Sequence, residues 1–312
     1  MTPVEVSVVV PLLDEVESLA TLYRELTDTL ERLGRPYELL FVDDGSRDGS
    51  FQTLEKLHRS DDRVRAFQLR RNFGKAAALA VGFREARGEV IVTLDADLQD
   101  DPAEIPKLLE RLEEGHDLVS GRKLRRRDPP SKTLPSRLFN RVTARLTGLP
   151  LHDINSGFKA YRREVVEELR LYGELHRFIP ALAAWRGFRV SEVPVRHRPR
   201  RFGRSKYGSA RLWRGFLDLL TVLFLTRYTR RPLHLFGGLG LLALASGIAV
   251  NLYLTGLWLA GARPIGTRPL LAFGVLSMLV GLQFFSLGLL SELVLSYQAR
   301  NADDVSIRCR LD

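Results

Sequence analysis

The chain has 312 residues, with 47 Lys or Arg against 37 Asp or Glu, a net charge of +10, 45% apolar residues and a single cysteine. This length and apolar content suffice for one large domain or two ordinary ones and exclude a disordered chain, and Cys309 alone excludes an internal disulfide framework. The basic excess calls for an anionic partner: nucleic acid, lipid headgroup or phosphorylated substrate.

From the N-terminus, Val4–Leu12 is β-branched and apolar and predicts a strand. Ser18–Leu33 predicts a helix, with Leu19, Leu22, Leu26 and Leu30 on one stripe. Further strands are expected at Tyr37–Val42, Val64–Leu69, Val90–Leu94 and Asp117–Ser120. Helices are expected around Ala76–Ala86 and Pro102–Glu114, where Pro102 suits a first turn. Short apolar strands alternating with helices predict an α/β domain on a mostly parallel, twisted sheet. Such sheets bind ligands beyond the carboxyl ends of their strands. The segments that follow successive strands are Pro11 to Glu15, Asp43 to Ser46, Arg70 to Lys75, Asp95 to Asp101 and Gly121 to Lys123. No Gly-x-Gly-x-x-Gly follows the first strand, which disfavours a dinucleotide fold, and no P-loop motif occurs, which excludes that class of NTPase.

Asp95-Ala96-Asp97 is the sharpest chemical feature. Alternate residues of an extended segment point the same way, so two carboxylates and Gln99 form one oxygen-rich row. Mg²⁺ or Mn²⁺ takes such ligands and shares them with substrate phosphates. Acidic loops are common, and it is the place of this one at a strand end, opposite Asp43 and Asp44, that favours function. The opposite sign follows. Ser120–Arg145 holds nine Lys or Arg and one acid, Asp128, and Arg196–Lys206 holds six Lys or Arg and no acid. Such clusters repel unless an anion lies between them. Phe202 to Tyr207 has the composition of a loop that folds over phosphates, and contact with anionic headgroups is the alternative.

Ser209–Arg231 carries Leu212, Phe216, Leu219 and Leu223 at helical spacing with basic ends, which fits an interfacial helix or a core helix of the soluble part. Leu233–Ala262 is 30 residues without a charge, and Pro269–Ser291 is another 23. Each exceeds the ~20 residues that cross a bilayer. The short link Arg263–Arg268 makes the pair a hairpin, with Arg227, Arg230, Arg231, Arg300, Arg308 and Arg310 outside it on one side. That bias puts both termini in the cytosol, and the N-terminus, with Glu5 and a short apolar run, is unlike a signal peptide. Small residues in the spans are of the kind that lets membrane helices self-associate. The tail after Arg231 has five Arg against four acids, so the positive excess belongs to the soluble part. The expected organisation is a catalytic domain over 1–208, an interfacial helix over 209–231, two spans over 232–300 and a cytosolic tail over 301–312, in the cytoplasmic membrane.

Val8–Glu15, Val42-Asp43-Asp44-Gly45-Ser46, Asn72-Phe73-Gly74-Lys75, Asp95-Ala96-Asp97-Leu98-Gln99, Asn155-Ser156-Gly157-Phe158-Lys159 and Phe202-Gly203-Arg204-Ser205-Lys206 occur in that order. In this order and spacing the set resembles the family 2 glycosyltransferases, most closely the polyprenol-phosphate sugar synthases. That group includes dolichol-phosphate mannose synthases and bacterial polyprenyl-phosphate glucosyltransferases. Leu12-Leu13-Asp14 departs from the Tyr-Asn pair usual before the Glu. The resemblance implies a GT-A-type nucleotide-sugar-binding domain, a nucleotide-sugar donor of UDP-glucose or GDP-mannose type, a polyprenyl-phosphate acceptor, and transfer with inversion. It implies that Pro11, Leu13, Glu15, Val42 and Asp44 hold base and ribose. Asp95, Ala96 and Asp97 would meet the donor, with Asp95, Asp97 and Gln99 toward Mg²⁺ or Mn²⁺. Arg122, Arg200 and Lys206 would bind the diphosphate or the acceptor phosphate, and Asp153 would be an active-site carboxylate near the acceptor, as base or positioning group. Competing readings are a processive polysaccharide synthase, whose Gln-x-x-Arg-Trp motif is missing because Ala184 precedes Trp185, and a binding module without turnover. Nucleic acid is disfavoured as a partner, because a basic stripe for it needs no carboxylate row.

Overall fold

The computed structural model describes residues 3–123, 151–153, 155–169, 171, 173, 175–199, 232–261, 264, 266 and 268–299. Arg200, Lys206, the basic run from 124 to 150 and the interfacial-helix expectation at 209–231 lie outside the described residues. The chain divides into two compact units, Met1–Val222 and Leu223–Asp312.

The first unit holds a seven-stranded sheet in the order β3-β2-β1-β4-β6-β5-β7. The strands are β1 Val6–Leu12, β2 Tyr37–Asp43, β3 Val64–Gln68, β4 Val90–Thr93, β5 Leu118–Lys123, β6 Lys159–Arg162 and β7 Val190–Val195. β1 pairs in parallel with β2 and β4, β2 with β3, and β5 with β7. Only β6 runs the other way, between β4 and β5. The mostly parallel sheet expected from the sequence is therefore present, with one reversed strand that the sequence does not announce.

β1 and β2 are buried at every position, because helices cover both faces. On one face lie α1 (Val16–Leu33), α2 (Ser50–Ser60) and α4 (Ile105–Glu113), the last following a 3-10 turn at Pro102–Glu104. α1 presents the predicted Leu19, Leu22, Leu26 and Leu30, all but fully buried, and burial of such a side chain is worth about 1.5–3 kcal/mol. Gly34 ends α1 in the left-handed region at φ 71°, its amide donating to Leu30 O and Glu31 O. On the other face lie α3 (Lys75–Glu85), α5 (Arg163–Glu168) and α6 (Ile179–Trp185). α3 comes very close to β1: a Cβ at Gly82 would lie 2.2 Å from Val9 Cγ1.

A buried polar knot locks the amino-terminal edge. Glu38 Oε1 accepts from Ser7 Oγ at 2.6 Å and from the Arg87 amide at 2.6 Å, and its Oε2 accepts from Arg65 at 3.0 Å. Glu38→Ala leaves the buried Ser7 hydroxyl and the Arg65 guanidinium without this acceptor, so stability should fall by about 3 kcal/mol. Thermal unfolding of the purified chain checks this, and a melting temperature equal to wild type would contradict it.

In the second unit, α7 (Pro232–Leu259) and α8 (Pro269–Ala299) are long and apolar enough to cross a membrane. They pack antiparallel through glycines. A Cβ at Gly240 would lie 2.7 Å from Gly281 O, and one at Gly247 would lie 2.6 Å from Gly274 O. Backbones this close leave no room for larger side chains.

Candidate active site

The loops after β1 and β2 are laced into one floor. The Asp14 amide donates to Ser46 Oγ at 2.7 Å, the Arg47 amide to Asp14 Oδ1 at 2.8 Å, and the Glu15 amide to Ser50 Oγ at 3.0 Å. Pro11 and Val42 face each other in register and are buried beneath this floor, while Leu13 and Glu15 are partly exposed on it. Asp43 is spent on structure: its Oδ1 accepts from the Ser46 amide at 2.9 Å and its Oδ2 from Gln68 at 3.0 Å. Asp44 pins the next loop, accepting from the Phe73 amide at 2.7 Å and the Gly74 amide at 2.9 Å. Burial pushes the Asp44 carboxyl up from its usual range, partly offset by those two donors. Gly45 is obligatory: its φ is +80°, and a Cβ there would meet Arg71 C at 2.8 Å. The pinned loop leaves Phe73 53% exposed, with the Arg71 guanidinium 4.2 Å over its ring.

After β4, Asp95, Asp97 and Gln99 are partly exposed while Ala96, Leu98 and Asp100 are buried. The expected alternation is present, but it is not that of an extended strand. Leu98, buried, has φ 59°, a strained left-handed conformation that turns the row. Asp95 Oδ1 is ion-paired with Lys75 at the start of α3. The Gln99 amide donates to Asp97 Oδ1 at 3.1 Å. Gly157 lies directly against Asp95, since a Cβ there would sit 2.8 Å from Asp95 Oδ2.

Behind the row lies a set of buried charges. Lys123 Nζ is 3.6 Å from Asp100 Oδ1. Burial alone would lower the Lys123 ammonium, but Asp100, Asp95, Asp153 and Asp97 outweigh it and raise it. Burial alone would raise the Asp100 carboxyl, but Lys123 and His197 hold it down at about 2. Lys159, 2% exposed, donates from Nζ to Ser156 O, and burial followed by Lys75 lowers its ammonium to about 7. Asp153 is 4% exposed and acts electrostatically on both Lys123 and Lys159. Burial, with Lys75, Arg177 and Lys159 adding to it, lowers the His176 imidazole far below its usual range.

The segment after β7 straps this edge. The Arg198 amide donates to Gln99 O at 2.8 Å, and the Arg198 guanidinium reaches Glu25 at 2.6 Å and Asp101 at 2.7 Å. Thus Asp95, Asp97, Asp100 and Asp153 share one electrostatic neighbourhood around Lys123 at the carboxyl edge, with Ala96 and Gln99 in the same row. Arg122 precedes Lys123 at the end of β5, 3.5 Å from Glu192 Oε1. Sequence reasoning gave Lys75 and Lys159 no role although both stand in motifs, and it passed over Lys123, His176, Arg177 and His197. An isolated basic residue carries no signal until the fold gives it carboxylate neighbours.

Residues 7–170 match the family model for glycosyl transferase family 2. The chain belongs to that family. It is 39% identical to the dodecaprenyl-phosphate galacturonate synthase of Rhizobium johnstonii over 93% of this chain and 87% of that one. It is also 39% identical to the undecaprenyl-phosphate 4-deoxy-4-formamido-L-arabinose transferase of Pseudomonas paraeruginosa, over 98% of this chain and 88% of the relative. Its fold is similar to that of glucosyl-3-phosphoglycerate synthase from Mycobacterium tuberculosis in complex with Mn²⁺, UDP and phosphoglyceric acid. The TM-score is 0.56 at 20% identity, covering 70% of this chain and 78% of the other. These matches support the glycosyltransferase resemblance and the GT-A-type architecture read from the motifs.

Proposed function

We propose that this family 2 glycosyltransferase moves a sugar from a nucleoside-diphosphate sugar to the phosphate of a polyprenyl phosphate. One observation carries the reading. The Asp95-Asp97-Gln99 row meets Lys75, Lys123 and the buried Lys159 at one sheet edge, in a chain that also carries two membrane-length helices. The two relatives named above are polyprenyl-phosphate sugar transferases and support it.

Among the described residues no three His, Cys, Asp or Glu side chains gather to enclose a metal ion. The row fits one nevertheless, because a hard cation with few protein ligands takes the rest from substrate phosphates. Asp97 and Gln99, with Asp95, would hold Mg²⁺ or Mn²⁺, and Mn²⁺ with UDP in the structural neighbour supports this. A bound divalent ion offsets the charge that develops on the leaving diphosphate. Pro11, Leu13, Glu15, Val42 and Asp44 form or underlie the nucleotide floor, and Ala96 keeps the row close to it. Arg122, with Arg200 and Lys206, supplies cations to the phosphates.

In the reaction, an oxygen of the lipid phosphate forms the new bond to the sugar's anomeric carbon. The bond from that carbon to the donor's β-phosphate oxygen breaks with its electron pair, and the configuration inverts. A phosphate monoester is already ionised near neutral pH, so little base help is needed. Asp153, whose charge acts on both Lys123 and Lys159, therefore has a positioning role. The catalytic unit faces the cytosol at the inner membrane, in accord with the flanking arginines. The outward apolar side chains of the hairpin meet lipid. Gly240, Gly247, Gly274 and Gly281 are taken up by the contact between the spans, so self-association would use other faces.

The test incubates purified enzyme with undecaprenyl phosphate, Mg²⁺ or Mn²⁺, and UDP-glucose, GDP-mannose, UDP-galacturonate or a UDP-linked 4-deoxy-4-formamido-arabinose. Mass spectrometry of the lipid should show one glycosyl-phospholipid. No lipid product from any donor would overturn the reading.

A further inference from the structure

His152 immediately precedes Asp153 and sits in a hydrogen-bonded frame of which the foregoing reaction uses only Arg122. Its amide donates to Glu192 Oε2 at 2.9 Å, and its ring Nδ1 meets Glu192 Oε1. Arg122 approaches the same group, its NH1 3.2 Å from His152 Nδ1 and 3.5 Å from Glu192 Oε1. A carboxylate only accepts, so the shared proton belongs to His152 Nδ1. Arg122 cannot donate to a nitrogen that is itself donating, and it shares the Glu192 oxygen instead. Glu192 is 13% exposed and fixed on β7, whereas the His152 side chain is 70% exposed. An exposed imidazole oriented through Nδ1 by a partly buried carboxylate directs its chemistry through Nε2.

We propose that His152, oriented by Glu192 and flanked by Arg122, binds a terminal phosphate monoester through Nε2. The inference rests on the sugar-transfer reading and extends it by one residue and one ligand group. Two groups on the page carry phosphate chemistry: the acceptor monoester and the donor diphosphate. The monoester has a second ionisation near pH 6, so near neutral pH part of it carries a P–OH that can donate to Nε2, the accepting nitrogen of a ring protonated at Nδ1. If it arrives as the monoanion, its P–OH donates to Nε2 while Arg122 meets its anionic oxygens. The phosphodiester product has no such P–OH and loses this contact. The donor's diphosphate is fully ionised and gains nothing from a group that accepts protons. The acceptor is therefore the assigned ligand.

The experiment uses the full chain in lipid nanodiscs. Farnesyl phosphate or UDP-glucose is added, and the histidine ring nitrogens are followed by ¹⁵N NMR, with His152→Gln assigning the His152 signals. Farnesyl phosphate should shift them and UDP-glucose, whose diphosphate carries no terminal monoester, should not. No shift with farnesyl phosphate, or an equal shift with UDP-glucose, overturns the assignment. In steady state, His152→Gln should raise the acceptor KM about tenfold and leave the donor KM within twofold. Glu192→Gln should move the acceptor KM in the same direction by less. An unchanged acceptor KM, or equal rises for both substrates, overturns the proposal. The NMR arm requires no turnover, so it decides the role of His152 even if no donor in the panel yields product.

Discussion

Asp97→Ala should lower kcat/KM for sugar transfer by about 10³-fold or more while leaving the melting temperature within a few degrees of wild type. The size follows from the role proposed for the carboxylate. Charge on the leaving diphosphate is stabilised only by groups already in place, and losing one such element costs about 10²–10³ in rate. Removing the carboxylate that would anchor a divalent ion adds loss of the ion to loss of the contact. The fold should survive because Asp97 is partly exposed on a row whose buried members are Ala96, Leu98 and Asp100. Activity within tenfold of wild type, at saturating Mg²⁺ or Mn²⁺, would end the metal assignment.

Gly157→Ala should cost about 10²-fold in turnover with a modest loss of stability. The added methyl would lie 2.8 Å from Asp95 Oδ2 and 2.9 Å from Asp95 Cγ, too close for both to stay. Gly157 has no positive φ, so its backbone tolerates alanine. Asp95 is a side chain with freedom to swing, so the collision is relieved by moving the carboxylate off Lys75 rather than by opening the sheet. Displacing a reacting-site group by about 1 Å costs on the order of 10²-fold in rate. Steady-state kinetics together with a thermal melt checks this. Rates within threefold of wild type would show that Asp95 need not stay where the structure has it.

Much of the fold is legible in the sequence because burial has a period. The stripe Leu19, Leu22, Leu26 and Leu30 predicts α1, and the apolar runs of β1 and β2 predict strands covered on both faces. The segments that resist reading are those whose residues do not advertise their neighbours. β6 is the four residues Lys-Ala-Tyr-Arg, too short and too polar to stand out. β7 contains Glu192 and Pro194, tolerable because it lies at the sheet's edge. α2 is mostly polar, with Ser50 and Leu54 its only buried residues.

The site divides in the same way. The acidic row, the basic excess and the two uncharged spans are properties of local composition, and the sequence determined them by itself. The partners of the row were decided only by tertiary structure. β6 inserts antiparallel between β4 and β5 and pairs Lys159 with Thr93, which carries Ser156, Gly157 and Lys159 to the Asp95 carboxylate. The same insertion brings Asp153 close enough to Lys123 to influence its charge, and it leaves His152 where Glu192 of β7 can hold it. Side-chain period and propensity act over a few residues. Which strand ends become neighbours is set by hydrogen-bond pairing between segments far apart in the chain, and the electrostatics of the site follow from that pairing.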